Sequence, residues 1–101
     1  MSYFGAIRAS MEAQKPFTCT YNGLRRDVCA HTLGRKNGKE QVLVFQFAGE
    51  SSKGLPPEGE WRCMPVAGIE NFGELDGPWR TGEGHSQKQT CVDDVDFEVV
   101  A

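Results

Sequence analysis

Apolar and polar residues alternate along most of the chain, and the period of that alternation changes at recognisable places. Near the N-terminus Phe4, Ile7 and Met11 recur at helical spacing, with Arg8 and Glu12 turned away, which predicts a helix over 3–14. Pro16 closes it, because a residue preceding proline is pushed out of the helical region. This helix is expected to lie across a sheet as a lid. From residue 17 the period becomes two. Phe17, Cys19 and Tyr21 alternate with Thr18 and Thr20, a half-buried strand. Asn22-Gly23 then predicts a tight hairpin, since both residues tolerate positive φ. The return strand, 25–33, places Val28 and Ala30 on one face and Cys29 and His31 on the other, and Gly34 is expected to interrupt it. A second Asn-Gly at 37–38 makes another hairpin.

The next run, Val42 to Ala48, is apolar except for Gln46 and predicts a central strand buried on both faces. Glycine and proline break up 49–59, and strands follow at 61–66 and 69–75. Residues 76–90 are loop-like, with Trp79 as their one large apolar anchor. In the last segment Val95, Phe97 and Val99 alternate with acidic residues, which favours a strand, although Val92, Val95 and Val99 also fit a short helix. The whole predicts one mainly β domain over 1–101: a helix at 3–14, barrel strands over 17–75, and a loop and C-terminal strand over 76–101. Five or six short antiparallel strands with one N-terminal helix are expected to bend into a partly open barrel, which limits exposed edges.

Composition alters this picture little. At 101 residues, 39% hydrophobic and 25% charged, the chain supports one modest core. Charge alters it more. Residues 1–45 carry seven basic against three acidic side chains, whereas 46–101 carry four against eleven. A net charge of −3 argues against a general nucleic-acid coat and leaves room for a local basic patch. The cysteines at 19, 29, 63 and 91 show neither C-x-x-C pairs nor scaffold spacing, so free thiols and a cytoplasmic location are expected. No segment resembles a secretory leader or a membrane span.

With the elements in place, the chain resembles the WYL domain, a regulatory module of bacterial transcription factors and defence systems. The matching pieces, over about residues 4–80, are the helix leading into FTCTYNG, then RRDVCAHTLGRKNG, QVLVFQFAGESS and WRCMPVAGI, with Trp79 where a large aromatic closes the barrel. The resemblance implies an SH3-like, Sm-type barrel and an anionic ligand. Three positions depart from the family pattern. Val42-Leu43-Val44 replaces the Trp-Tyr-Leu triplet, Gly68 stands where the ligand-facing arginine falls, and His31 stands where proline is usual. No DNA-binding helix-turn-helix precedes the module in this sequence.

The candidate ligand-binding residues are Arg25, Arg26, His31, Arg35, Gln46, Ser51, Ser52 and Arg62. The arginines, with Lys36 and Lys39, would form a basic rim for a nucleotide or single-stranded nucleic acid; a solvated hairpin reads the same way. Ser51 and Ser52, in GESSKG, would add hydroxyls and backbone N–H groups, or simply solvate a turn. Gln46 is either a ligand contact or a satisfied buried amide. GRKNGK at 34–39 lacks the length, hydroxyl and following helix of a phosphate loop. Cys29-x-His31 has no further metal ligands in register, nor a third catalytic group, so no metal, cofactor or catalytic site is expected. Two functions remain open: a non-catalytic module that senses an anion, or a protein-interaction or self-associating subunit using sheet edges and the acidic residues 93–98.

Overall fold

The computed structural model describes residues 2–50, 54–55, 59–80 and 91–99. Helix α1 spans Phe4–Glu12, and strands β1 to β6 span Phe17–Tyr21, Leu24–Lys36, Lys39–Gly49, Glu60–Pro65, Ile69–Glu74 and Asp94–Glu98; a 3-10 turn, Val66–Gly68, joins β4 to β5. Both Asn-Gly pairs make the tight turns expected of them. Asn22 and Gly23 adopt φ of 53° and 75°, and Asn37 and Gly38 adopt 52° and 78°. The C-terminal segment is a strand. No described helix is long and apolar enough to cross a membrane.

All strands belong to one antiparallel sheet in the order β4-β3-β2-β1-β5, with β6 also on β2. β4 and β5 lie at opposite ends of that order and are not hydrogen-bonded to each other, so the bent sheet is a small, partly open barrel. Its interior holds Ile7 and Met11 from α1, Phe17 from β1, Val28 and Leu33 from β2, and Met64 from β4, all at 0–1% exposure. The helix therefore covers the core with the face its spacing marks out.

β2 differs from expectation. It runs to Lys36, straight through Gly34. Its first half pairs with β1, Phe17 opposite Val28, and its second half pairs with β6, Leu33 opposite Phe97. The ladder with β3 skips His31 at this change of partner, and Val99 N–H donates to the His31 carbonyl at 2.8 Å. Such a bulge bends a strand and lets it turn a corner. Gly34 serves close packing: a Cβ there would meet the Asp94 carbonyl and come within 2.6 Å of Val92 Cγ1.

A second correction concerns the cysteines. Cys63 and Cys91 are joined in a disulfide with Cα atoms 5.6 Å apart, and only Cys19 and Cys29 are free thiols. The bond ties β4 to the segment entering β6. Closing a loop of 28 residues removes denatured-state entropy equivalent to about 3–4 kcal/mol in the chain-entropy treatment.

Two glycine substitutions separate these effects. Gly34→Ala is expected to cost about 1–3 kcal/mol through overpacking against β6. Gly5→Ala, in α1 with nothing within 4 Å of the new methyl, is expected to be neutral or stabilising by a few tenths to about 1 kcal/mol. Denaturant midpoints of the two variants against the parent read the difference directly; equal midpoints would mean that β6 does not press on β2.

Candidate functional site

Successive residues of a strand point to opposite faces, so β3 and β4 deliver two different surfaces. Gln46 and Arg62 face inward; Phe45 and Trp61, their sequence neighbours, face outward. Inside, at the end where β1 finishes and β4 begins, Arg26, Gln46, Glu60, Arg62 and Tyr21 converge. Arg62 Nε donates to Gln46 Oε1 at 2.9 Å, and Arg26 Nη1 reaches the same oxygen at 3.4 Å. Arg62 Nη2 forms an ion pair with Glu60 Oε2 at 2.8 Å. Arg26 Nε lies 3.4 Å from the Tyr21 carbonyl, and its guanidinium sits 5.2 Å from the centre of the Tyr21 ring.

The electrostatics are asymmetric. Arg26 is only 4% exposed, and no described carboxylate pairs with it. Burial, and next the charge of Arg62, lower its pKa from the ordinary arginine value. Two guanidinium groups thus share one neutral acceptor, and the carboxylate beside them, Glu60, pairs with Arg62. Gln46 is held in turn: its Nε2 donates to the Ala48 carbonyl at 3.2 Å and to the Glu50 carbonyl at 2.9 Å. The buried amide is therefore satisfied by backbone, and it anchors the root of the GESSKG loop beside the cations. Glu50 N–H donates to the Arg25 carbonyl at 2.7 Å. Ser51 and Ser52 lie outside the described residues.

The remaining sequence candidates go elsewhere. Arg25 points to the other face of the sheet, where it meets Thr18 Oγ1 and Asp27 Oδ2 at 3.3 Å. Arg35 is at the far end of β2, paired with Glu40 at 3.8 Å and over the Phe4 ring. His31 is buried on the outward side, with ring centroids 4.6 Å from Trp61 and 4.1 Å from Trp79. Its Nδ1 lies 2.9 Å from the Cys29 carbonyl, which only accepts, so the proton is on Nδ1. The linear basic run therefore makes no continuous rim. Glu60 and the Tyr21 carbonyl completed the cluster without being anticipated; the alternation of Glu60, Arg62 and Met64 was the available signal for Glu60.

The outward face has its own cover. Trp79 lies on His31, the Arg80 guanidinium sits 4.5 Å over the Phe47 ring, and Arg80 N–H donates to Cys29 Sγ at 3.2 Å. Burial raises the Cys29 pKa, opposed by that N–H, and burial raises the pKa of Cys19 in the core to about 11. Among the described residues no three His, Cys, Asp or Glu side chains converge as a metal site. In comparisons with known proteins, no family model, curated protein or solved structure matches the chain.

Replacing a poorly paired buried charge with an apolar residue of similar shape is often neutral or stabilising, whereas removing a shared acceptor strands its donors. Arg26→Met is therefore expected to leave stability unchanged or raise it by up to about 3 kcal/mol. Gln46→Leu is expected to lower it by about 2–3 kcal/mol. Thermal and denaturant unfolding of both variants decide the matter; a large loss in Arg26→Met would show that the arginine holds the fold together.

Proposed function

We propose that the chain is a non-catalytic regulatory module that binds an anionic ligand, a nucleotide or a short single-stranded nucleic acid, at the inner Arg26–Gln46–Arg62 cluster. One observation carries this: two guanidinium groups meet around a single neutral oxygen, one of them nearly fully buried and without a described carboxylate partner. An incoming phosphate supplies the missing negative charge and bidentate geometry, and Arg26 is already held in place to receive it. The Tyr21 ring beside Arg26 offers an aromatic wall, and the Gln46-anchored loop lies at the same end.

The proposal includes a relationship to the WYL domain. That relationship rests on the sequence resemblance; beside it stand one short helix ahead of the strands and a single antiparallel sheet bent into a partly open barrel. Gly68 stands where the family arginine falls, and it abuts the same Tyr21 ring that Arg26 overlies. A cation thus reaches this neighbourhood from β2 instead. Self-association through the acidic strand has less support. Asp96 forms an ion pair with Arg8 of the same chain at 2.7 Å, and Asp94 lies opposite Arg35 in the β2–β6 ladder. Placing the chain in the cytoplasm would put the Cys63–Cys91 bond in a reducing compartment, where disulfides are usually transient or redox-sensing.

The test is an amide-shift titration with nucleotides and mixed single-stranded oligonucleotides at low and moderate salt. Saturable, salt-weakened shifts are expected at Tyr21, Arg26, Gln46 and Arg62. Affinity should fall about tenfold or more in Arg26→Met, the loss of one charge-assisted contact, and stay unchanged in Arg35→Ala. Absence of shifts at low salt, or equal loss in both variants, sinks the assignment.

A further inference from the structure

Taking the inner cluster as an anion site, we infer that Glu60 is its resident competitor, and that the ligand which displaces it from Arg62 is a terminal phosphate, a phosphomonoester and not an internal phosphodiester. Arg62 presents one guanidinium edge through Nε and Nη2, the pair of donors that grips a phosphate side-on. Nε is engaged by Gln46 Oε1 at 2.9 Å and Nη2 by Glu60 Oε2 at 2.8 Å. The two acceptors are held very differently. Gln46 is fully buried and fixed by its bonds to the Ala48 and Glu50 carbonyls. The Glu60 side chain is 43% exposed, and its bond to Arg62 is the one it makes with a side chain among the described residues. Glu60 is therefore the partner that can leave, turning into water while Gln46 keeps its place.

Exposure also sets the order of approach. Arg26 is 4% exposed and cannot enclose a ligand by itself. The Arg62 side chain, at 23%, and Glu60 form the outer part of the cluster. An anion arriving from solvent meets them first, and two like charges do not share one guanidinium edge without a penalty. Glu60 does little for Arg26 meanwhile. Burial and then the Arg62 charge lower the Arg26 pKa, and Glu60 is the smallest of the charges that oppose them.

The charge count then selects the ligand. Arg26 and Arg62 bring two positive charges, and Glu60 offsets one. If Glu60 stayed on Arg62, a single negative charge would complete the cluster, and a phosphodiester would serve. With Glu60 displaced, a phosphodiester leaves the cluster as unbalanced as before, and the exchange gains little. A phosphomonoester carries about −1.5 to −2 at pH 7 and matches both guanidinium groups. A preference for the monoester is thus the signature of displacement.

Glu60→Gln removes the charge and keeps the position, because the amide is isosteric and its oxygen still accepts from Arg62 Nη2. The probes are thymidine monophosphate and dithymidine phosphate, in which one phosphodiester joins two thymidines. Amide shifts of Arg26 and Gln46 report binding. The parent is expected to bind the monophosphate about tenfold or more tighter than the diester, the difference of one charge-assisted contact. Glu60→Gln is expected to bind both probes about tenfold tighter with their ratio unchanged, since the same competitor has gone in each case. Arg26→Met is expected to narrow the ratio, one cation being left to match. Binding that depends on Arg26 but is no tighter in Glu60→Gln would overturn the competitor and leave the anion site standing. Equal affinities in the parent, or a preference for the diester, would overturn the ligand class. No shift with either probe, in the parent and in Glu60→Gln alike, would overturn the anion site itself and this inference with it.

Discussion

Strand β2 is hydrogen-bonded along both edges and buried on both faces, and this double burial is the constraint from which the rest of the molecule follows. Its thirteen residues pair with β3 along one side and with β1 and then β6 along the other. From Val28 to Gly34 every residue is buried. A strand so placed needs two covers. α1 and the barrel interior supply one, and the aromatic cluster under Trp79 supplies the other. It also needs a way to change partners without stranding backbone groups. The skipped residue at His31 provides it, with the freed carbonyl taken by Val99 N–H.

The same geometry separates two chemistries that are adjacent in sequence. Gln46 and Arg62 point into the barrel, and Phe45 and Trp61 point out. An apolar outer patch beneath a segment of its own chain is ordinary packing. A nearly buried arginine at the inner end, with both of its hydrogen bonds at 3.4 Å, is not. Desolvation and the second cation both oppose it. Proteins break such local rules chiefly where function requires it, which is why the proposed site is placed at this cluster and not at an exposed lysine or arginine.

What the sequence made legible was local. Asn22-Gly23 and Asn37-Gly38 carry their own backbone preference, and the stripe of Phe4, Ile7 and Met11 defines a face without reference to anything distant. Gly34 was misread because a glycine that breaks a strand and one that admits another backbone look alike until β6 is placed. The Cys63–Cys91 bond was hidden for a similar reason: β4 and the entry to β6 approach only through the long-range pairing of β6 with β2. The basic run was clear in sequence and misleading in space. Alternation sends Arg25 and Arg26 to opposite faces, and strand length carries Arg35 to the far end. Arg26 and Arg62 meet only once β3 stands between their strands, and nothing in their spacing announces it.

The two faces also share a backbone. Tyr21 and Arg26 reach the inner cluster from β1 and β2, but Gln46 and Arg62 reach it from the strands that carry Phe45, Trp61 and Cys63 outward. Each inner side chain is backed by an outer one on the neighbouring residue. An anion that repositions Arg62 acts on the strand to which the disulfide is attached. A change in the cover over Trp61 acts on the strand that aims Arg62. The element the two faces share is the β3–β4 pair, six residue pairs of ladder from Gln41–Pro65 to Gln46–Glu60. That pair is short enough for a shift at one face to be felt at the other, because close-packed interiors transmit displacement instead of absorbing it.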